Sequence, residues 1–163
     1  MPARDRLPDC TATLDDGRTV RLSELLESGP AVFFFYPKAF TTGCTAEACH
    51  FRDLAAEFAA AGAQRFGVSR DSVETQSEFR EKYNLDFPLI ADPDGRVAAV
   101  FGAKRLGPLP RKRQTFVVDT DHRILKVISS ELNMDVHADE ALAALAARGR
   151  VITLPEEQPA APE

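Results

Sequence analysis

Residues 31–49 read Ala31-Val-Phe-Phe-Phe-Tyr36-Pro37-Lys-Ala-Phe-Thr41-Thr-Gly-Cys44-Thr-Ala-Glu47-Ala-Cys49. The first six are continuously apolar and rich in aromatic side chains, which is typical of a central strand buried on both faces. Apolar residues then recur with helical spacing, and this pattern predicts a long helix from Thr45 to Ala61. The stretch therefore predicts a buried strand, a short loop and a helix, with a cysteine close to the start of the helix.

Strand and helix patterns alternate along the rest of the chain. An Asp-Gly turn at residues 16–17 predicts a hairpin, and Asp71 and Glu74 have the spacing of a capping box with Asp71 as the N-cap. Further strands are predicted at 64–69, 87–91, 115–118 and 124–128, and further helices at 71–83, 96–101 and 138–148. This alternation predicts an α/β fold with a central mixed β-sheet and helices on both faces.

The composition is that of a globular protein, with 44% hydrophobic and 28% charged residues among 163. The chain has 20 basic and 25 acidic side chains, so we do not expect a basic surface for binding nucleic acid or an anionic membrane. The first residues are charged and lead into no apolar segment, and residues 31–36 are too few to span a bilayer, so we expect a cytoplasmic protein. We expect one domain over residues 1–153 and a disordered Pro/Glu-rich tail over 154–163.

The chain has three cysteines, too few and odd in number for a disulfide framework. Cys44 lies where a strand gives way to a helix, among free backbone N–H groups and at the positive end of the helix dipole, and both favour a reactive thiolate. Thr41 can turn its hydroxyl toward this sulfur, and Pro37 shapes the loop. Cys10 is interpreted as a small buried apolar residue.

Cys49 lies five residues after Cys44, which constrains how the two could react. In a helix their Cα atoms are roughly 8–9 Å apart, whereas a disulfide needs less than about 7 Å. If they form a redox pair, the start of the helix must therefore unwind in each cycle. Cys49 as a simple packing residue stays open, with a partner thiol then resolving Cys44.

The motif Pro37-x-x-x-Thr41-x-x-Cys44 resembles the signature of the peroxiredoxins. The longer pattern from Phe34 to Asp53 is similar to the peroxiredoxin Q, or bacterioferritin comigratory protein, subfamily. The resemblance continues through Gly67-Val-Ser-x-Asp-Ser-Val-Glu, Phe87-Pro-Leu-Ile-Ala-Asp-Pro-Asp-Gly and Arg113-x-Thr-Phe-Val-Val-Asp. It covers residues 7 to 148 and implies a thioredoxin-like fold and cysteine-based reduction of hydrogen peroxide and organic hydroperoxides.

The resemblance also implies a role for individual residues. Cys44 corresponds to the peroxidatic cysteine, Cys49 to the resolving cysteine, Thr41 and Arg113 to the peroxide site, Pro37 to its shield and Glu47 to the group that orients Arg113. Arg111 and Lys112 are alternatives for the cation. Thr42 stands where the subfamily usually has proline, and Ala39 and Phe40 replace residues that are often acidic, so we expect a less rigid loop and a more apolar entrance.

The implied cycle has three steps and needs no metal, flavin or haem. Cys44 is oxidised to a sulfenic acid, Cys49 condenses with it to a disulfide, and an external dithiol protein such as thioredoxin reduces the disulfide. Thiolate formation alone explains little of the rate: a thiol with a pKa of about 8.5 gains only about 30-fold from full ionisation at pH 7. Members of the subfamily are often monomers, so we expect this protein to be a monomer.

Three alternatives stay open from the residues. A disulfide oxidoreductase on the same fold is one, although the chain has no C-x-x-C motif. A redox sensor, which would saturate after one equivalent of peroxide, is another. Cys44, Cys49 and His50 could suggest zinc, but their spacing is poor for a closed tetrahedral site, and His50, His122 and His137 are interpreted as structural.

Overall fold

Seven strands form the centre of the fold in a computed structural model, which describes residues 6–103, 113–130 and 135–157. They are β1 (Thr11–Leu14), β2 (Thr19–Arg21), β3 (Ala31–Phe35), β4 (Gln64–Ser69), β5 (Leu89–Ala91), β6 (Gln114–Val118) and β7 (Ile124–Ser129). Their order in the sheet is β2-β1-β5-β4-β3-β6-β7. β4 is parallel to β3 and β5, and the other neighbouring strands are antiparallel, so the predicted mixed sheet is confirmed.

Helices cover both faces of this sheet, as predicted. They are α1 (Leu22–Leu25), α2 (Thr42–Asp53), α3 (Ala55–Ala60), α4 (Val73–Lys82), α5 (Arg96–Phe101) and α6 (Asp135–Glu157). Successive side chains of a strand point to opposite faces. Phe34 and Tyr36 accordingly belong to a core with α2, α3, α4 and α6, whereas Phe33 and Phe35 belong to a second core with α1 and α5.

Strand β3 is the most buried element, because all five of its residues are inaccessible to solvent. Phe34 stacks on Phe51 of α2 with ring centroids 4.2 Å apart. Gly67 of β4 is required beside it, since a Cβ there would lie 2.9 Å from Cζ of Phe34 and 2.8 Å from Cδ2 of Leu89. Burial of each such phenylalanine contributes about 1.5–3 kcal/mol, and the carboxyl end of β3 is therefore a rigid base for the loop that follows it.

Several helix boundaries differ from the prediction. The helix predicted from Thr45 to Ala61 begins at Thr42 and is divided in two at Leu54, whose ψ of 24° interrupts the helical backbone. Helix α4 is capped by Ser72, not by Asp71: the Ser72 hydroxyl accepts the backbone N–H of Thr75 at 3.1 Å.

The last helix begins at Asp135 rather than Ala138 and ends at Glu157 rather than Arg148. It therefore continues past residue 154, where the sequence predicts a disordered tail to begin, and residues 158–163 lie outside the described residues. None of the helices in the described part of the chain is long and apolar enough to cross a bilayer.

Candidate active site

The start of α2 positions Cys44. The chain leaves β3 at Phe35, and Thr41 is the N-cap residue of α2, with an extended backbone (φ −79°, ψ 158°). Its carbonyl accepts the first helical hydrogen bond, from the backbone N–H of Thr45 at 2.9 Å. Cys44, which the sequence predicts close to the start of a helix, lies in the first turn of α2, and its side chain is completely buried. The sulfur is thus at the positive end of the helix dipole and shielded from bulk water.

Arg113 reaches this sulfur because β6 runs antiparallel to β3. Their register pairs Phe35 with Gln114, so Arg113 lies just before β6 at the end of the sheet where α2 begins. Its Nη1 lies 3.4 Å from Sγ of Cys44 and 2.7 Å from Oε1 of Glu47. The two alternative cations, Arg111 and Lys112, lie outside the described residues.

The guanidinium of Arg113 is a buried, permanently charged group. Burial alone would lower its pKa, but the negative charges of Glu47 and Cys44 and their hydrogen bonds raise the pKa of Arg113 above its ordinary value. A fixed positive charge therefore lies in contact with the sulfur. Such a charge stabilises negative charge on sulfur and on any oxygen that approaches it.

Glu47 joins the same cluster from the next turn of α2 and is completely buried. While Oε1 accepts from Arg113, Oε2 lies 3.6 Å from Nδ1 of His137 on α6. The same ring nitrogen lies 2.8 Å from the hydroxyl of Thr115 on β6. Cys44, Arg113, Glu47, His137 and Thr115 thus form one continuous buried cluster between α2, β6 and α6.

Thr41 has a different orientation from the one the sequence suggests. Its exposed hydroxyl donates to the carbonyl oxygen of Lys38 at 2.7 Å. Since a hydroxyl carries one proton, it does not donate to the sulfur in this arrangement. Pro37 is half-buried in the same loop, between β3 and α2.

Two further residues hold the loop, and the sequence reasoning missed both. The buried hydroxyl of Tyr36 donates to Oε1 of Gln76 at 2.6 Å. Burial raises the pKa of Tyr36 well above its ordinary value, so it remains a neutral donor. The carboxylate of Asp71 accepts the backbone N–H of Ala39 at 2.7 Å. Asp71, which the capping spacing assigned to α4, therefore anchors the loop before α2 instead.

Cys49 lies on the same helix as Cys44 and is half-buried. Five residues of helix separate the two by about 140° around the axis, so their side chains leave α2 in different directions. Cys10, Cys44 and Cys49 are all free thiols. The structure therefore shows the reduced, helical state. Next to Cys49, Nε2 of His50 lies 2.9 Å from Oδ1 of Asp139 on α6, which joins the middle of α2 to α6.

Phe40 gives the loop before α2 an exposed apolar side chain. It has a left-handed backbone (φ 69°) and is 42% exposed. Its ring lies against Phe79 of α4, with centroids 5.2 Å apart, and 6.4 Å from Tyr83. The neighbouring Ala39 is buried. The loop before α2 thus presents one aromatic side chain to solvent.

Known proteins share this arrangement of sheet and helices. The family model of AhpC/TSA matches residues 3–127. Peroxiredoxin Bcp of Bacillus subtilis is 37% identical over 146 residues, which cover 86% of this chain and 92% of that protein. The crystal structure of peroxidoxin BcpB from Mycobacterium tuberculosis superposes with a TM-score of 0.83 at 53% identity, covering 88% of this chain and 95% of that one.

The bacterioferritin comigratory protein of Xanthomonas campestris, studied in complexes for its alkyl peroxide reduction activity, has a TM-score of 0.78 at 32% identity. The superposition covers 85% of this chain and 91% of that one. The predicted thioredoxin-like fold is confirmed by these neighbours.

Proposed function

This chain belongs to the AhpC/TSA family of peroxiredoxins, which are thiol peroxidases, and we propose that it reduces hydrogen peroxide and organic hydroperoxides through Cys44, with Cys49 as the resolving cysteine. The observation that carries the proposal is the position of Arg113, whose Nη1 contacts both Cys44 Sγ and Glu47 Oε1 inside the protein. A buried cation held by a carboxylate against a thiol is suited to a reaction that moves negative charge from sulfur to oxygen.

In the first step the thiolate sulfur of Cys44 attacks the terminal oxygen of the peroxide. An S–O bond forms, the O–O bond breaks, the sulfur is oxidised by two electrons, and the released oxygen takes a proton to leave as water or an alcohol. Arg113 and the N–H groups at the start of α2 stabilise the charge that develops on the oxygens. Thr41 assists when its hydroxyl leaves Lys38 and donates to the peroxide, and Pro37 shields the site.

In the second step the thiol of Cys49 attacks the sulfenic sulfur, an S–S bond forms and water leaves. The helical arrangement forbids this bond, because Cα atoms five residues apart are roughly 8–9 Å from each other. The first turns of α2 must therefore unwind after oxidation. A dithiol protein of the thioredoxin kind then reduces the disulfide by exchange, through a mixed disulfide.

Organic hydroperoxides are included because of the entrance. Phe40 is exposed and apolar, and Ala39 carries no charge. The alkyl group of an organic hydroperoxide would therefore contact an apolar surface, which favours its binding. The activity named for the Xanthomonas campestris relative, alkyl peroxide reduction, supports the same substrate class.

The test is one equivalent of hydrogen peroxide added to fully reduced protein, followed by intact mass and a non-reducing peptide map. We expect a Cys44–Cys49 link in the parent protein, no oxidation in Cys44→Ser, and a sulfenic acid on Cys44 in Cys49→Ser. Cys10→Ser is the matched control and should behave like the parent.

Each other outcome removes a defined part of the proposal. A sulfenic acid on Cys44 in the parent protein, with no link, would remove Cys49 from the mechanism but keep the peroxidase. An unreacted Cys44 would overturn the peroxidase function itself. Consumption of many equivalents of peroxide in the presence of thioredoxin and its reductase, rather than one, separates the enzyme from a sensor.

A further inference from the structure

His137 is a completely buried histidine on α6 that the reaction above does not use. Its Nε2 lies 2.9 Å from the carbonyl oxygen of Ser130, which follows β7. Because a carbonyl oxygen can only accept, Nε2 carries a proton and donates it. The second proton of an imidazolium would therefore be gained or lost at Nδ1.

Nδ1 of His137 faces the active-site cluster. It lies 2.8 Å from the hydroxyl of Thr115 and 3.6 Å from Oε2 of Glu47. The Thr115 hydroxyl is compatible with either state of the ring, since it can donate to a bare nitrogen or accept from a protonated one. The Glu47 carboxylate can only accept and is negatively charged when ionised, so it favours the protonated ring.

The charges of the cluster also favour a protonated His137. When Cys44 is a thiolate, Cys44 and Glu47 each carry a negative charge and Arg113 carries a positive one. A proton on Nδ1 of His137 adds a positive charge next to the Glu47 carboxylate and so lowers the cost of burying these negative charges.

The other charged groups that the structure describes near this part of α6 lie toward solvent. Asp135 and Asp139 face His50 of α2, and Glu140 pairs with Lys126 of β7 at 3.9 Å. Their side chains are about half or more exposed, apart from that of His50, so solvent screens them more than it screens Glu47.

We propose that His137 is a positioning residue for the peroxidase reaction, acting in its protonated form through Glu47 and Arg113 on Cys44. This inference rests on the proposed role of Cys44. The imidazolium holds Oε2 of Glu47 and balances its charge, so that Oε1 fixes Arg113 while Nη1 of Arg113 remains available to the sulfur and to the peroxide.

The two ends of the cluster are then coupled. A proton on His137 favours the thiolate, and by linkage the thiolate favours the proton on His137. Replacement of His137 by a neutral residue should therefore make Cys44 less reactive at and below neutral pH. Because buried charges in one cluster interact more strongly than charges in water, we expect the reactivity profile to move by about one pH unit.

The test uses two neutral replacements. His137→Gln can keep a donor toward the Ser130 carbonyl, and His137→Asn can keep a polar group where Nδ1 lies. The rate of Cys44 alkylation by iodoacetamide is measured from about pH 5 to pH 9, the range in which histidines titrate, in a background lacking Cys10 and Cys49. The chain has three histidines, so His50→Gln and His122→Gln are matched controls.

We expect both His137 variants to move the alkylation profile to higher pH and both controls to leave it in place. A profile that superimposes on the parent profile, even with a lower stability, would show that His137 has only a packing role and would overturn the inference. Since alkylation needs no peroxide, displaced profiles in a protein that fails to reduce peroxide would overturn the proposed function and leave the coupling intact.

A second measurement decides the matter if the His137 variants do not fold. The ring protons of His137 are titrated by NMR in the reduced protein and in Cys44→Ser, whose side chain carries no charge. The His137 midpoint should be lower in Cys44→Ser by the same displacement. Equal midpoints in the two proteins would overturn the inference.

Discussion

At the scale of single residues, one guanidinium nitrogen connects the sulfur to the rest of the site. Nη1 of Arg113 contacts Cys44 and Glu47 together, at 3.4 Å and 2.7 Å. Complete ionisation of an ordinary thiol gains only about 30-fold at pH 7, or about 2 kcal/mol. The remaining acceleration requires groups that act on the transition state, and we propose Arg113 as the largest contributor.

We therefore predict that Arg113→Lys separates two reactivities of Cys44. Lysine keeps the charge but loses the planar fork, so the reaction with hydrogen peroxide should fall by about 10²–10³-fold. Alkylation, which needs only the thiolate, should fall by less than about 30-fold. Stopped-flow measurement of both rates checks this, with Arg123→Lys, an exposed arginine, as control. Equal losses in the two rates would show that Arg113 acts only by favouring the thiolate.

Prediction from sequence worked unevenly at this scale. The position of Cys44 at a helix start followed from local pattern, and Arg113 was chosen from the resemblance. His137 could not be found in this way, because its partners Glu47 and Thr115 come from α2 and β6, which are distant in sequence. Thr41 was placed correctly as a loop residue, but the direction of its hydroxyl depends on the Lys38 carbonyl, which no spacing reveals.

At the scale of elements, α2 combines two opposite requirements. It is helical where it holds Cys44 against Arg113, and in the proposed cycle its start must unwind to let Cys49 approach. Thr42 is its first residue, follows an extended Thr41 and stands where the subfamily usually has proline. The backbone at both positions is compatible with a proline at residue 42. Thr41 has the extended conformation that the residue before a proline prefers, and the N–H of the first helical residue, Thr42, needs no partner within the helix.

Thr42→Pro should accordingly strengthen the start of α2. Proline that fits the native backbone stabilises by about 0.4–1 kcal/mol, chiefly by restricting the unwound chain. We expect formation of the Cys44–Cys49 disulfide to slow by about 2–5-fold, with the first reaction with peroxide unchanged. Rapid quenching and peptide mapping measure the two steps, and Thr42→Ala is the control for loss of the side chain. Faster disulfide formation in Thr42→Pro would contradict the unwinding step.

The division between α2 and α3 shows where local pattern stops being informative. Phe51 and Phe58 are both buried at helical spacing, and no glycine or proline separates them, so periodicity predicts one helix. The interruption at Leu54 is a tertiary effect. Arg65 of β4 donates to the carbonyl oxygen of Phe51 at 2.8 Å and draws that oxygen into a contact with the sheet.

At the scale of the whole molecule, the sheet separates two cores, and among the described residues α2 contributes buried side chains to one of them. Phe51 belongs to the core of α2, whereas Phe101 packs against Phe33, Phe35 and Phe116 on the opposite face. The alternation of β3 side chains predicts the two layers. The pairing of β3 with β6, which brings Arg113 to a cysteine 69 residues away, could not be predicted from local patterns.

Phe101→Leu and Phe51→Leu are a matched pair of variants that tests whether the two cores act independently. Each loss of a buried ring should lower the free energy of unfolding by about 1–2 kcal/mol, measured by urea denaturation. Only Phe51→Leu should also slow the reaction with peroxide, because Phe51 supports the helix that carries Cys44. If Phe101→Leu slowed the reaction as much, the two layers would not act independently.

The complete burial of the Cys44 sulfur has a consequence for the order of events. In the proposed cycle a protein reductant would not contact this sulfur in the helical form, where it is completely buried, and would meet the disulfide after α2 has unwound. The proposed cycle therefore assigns the peroxide to the helical conformer and the reductant to the unwound conformer. In that cycle the lifetime of the helical sulfenic acid determines how often Cys44 is over-oxidised. While the sulfenic acid persists, a second peroxide can oxidise Cys44 irreversibly, and after the disulfide has formed, the cysteine can be recycled by reduction.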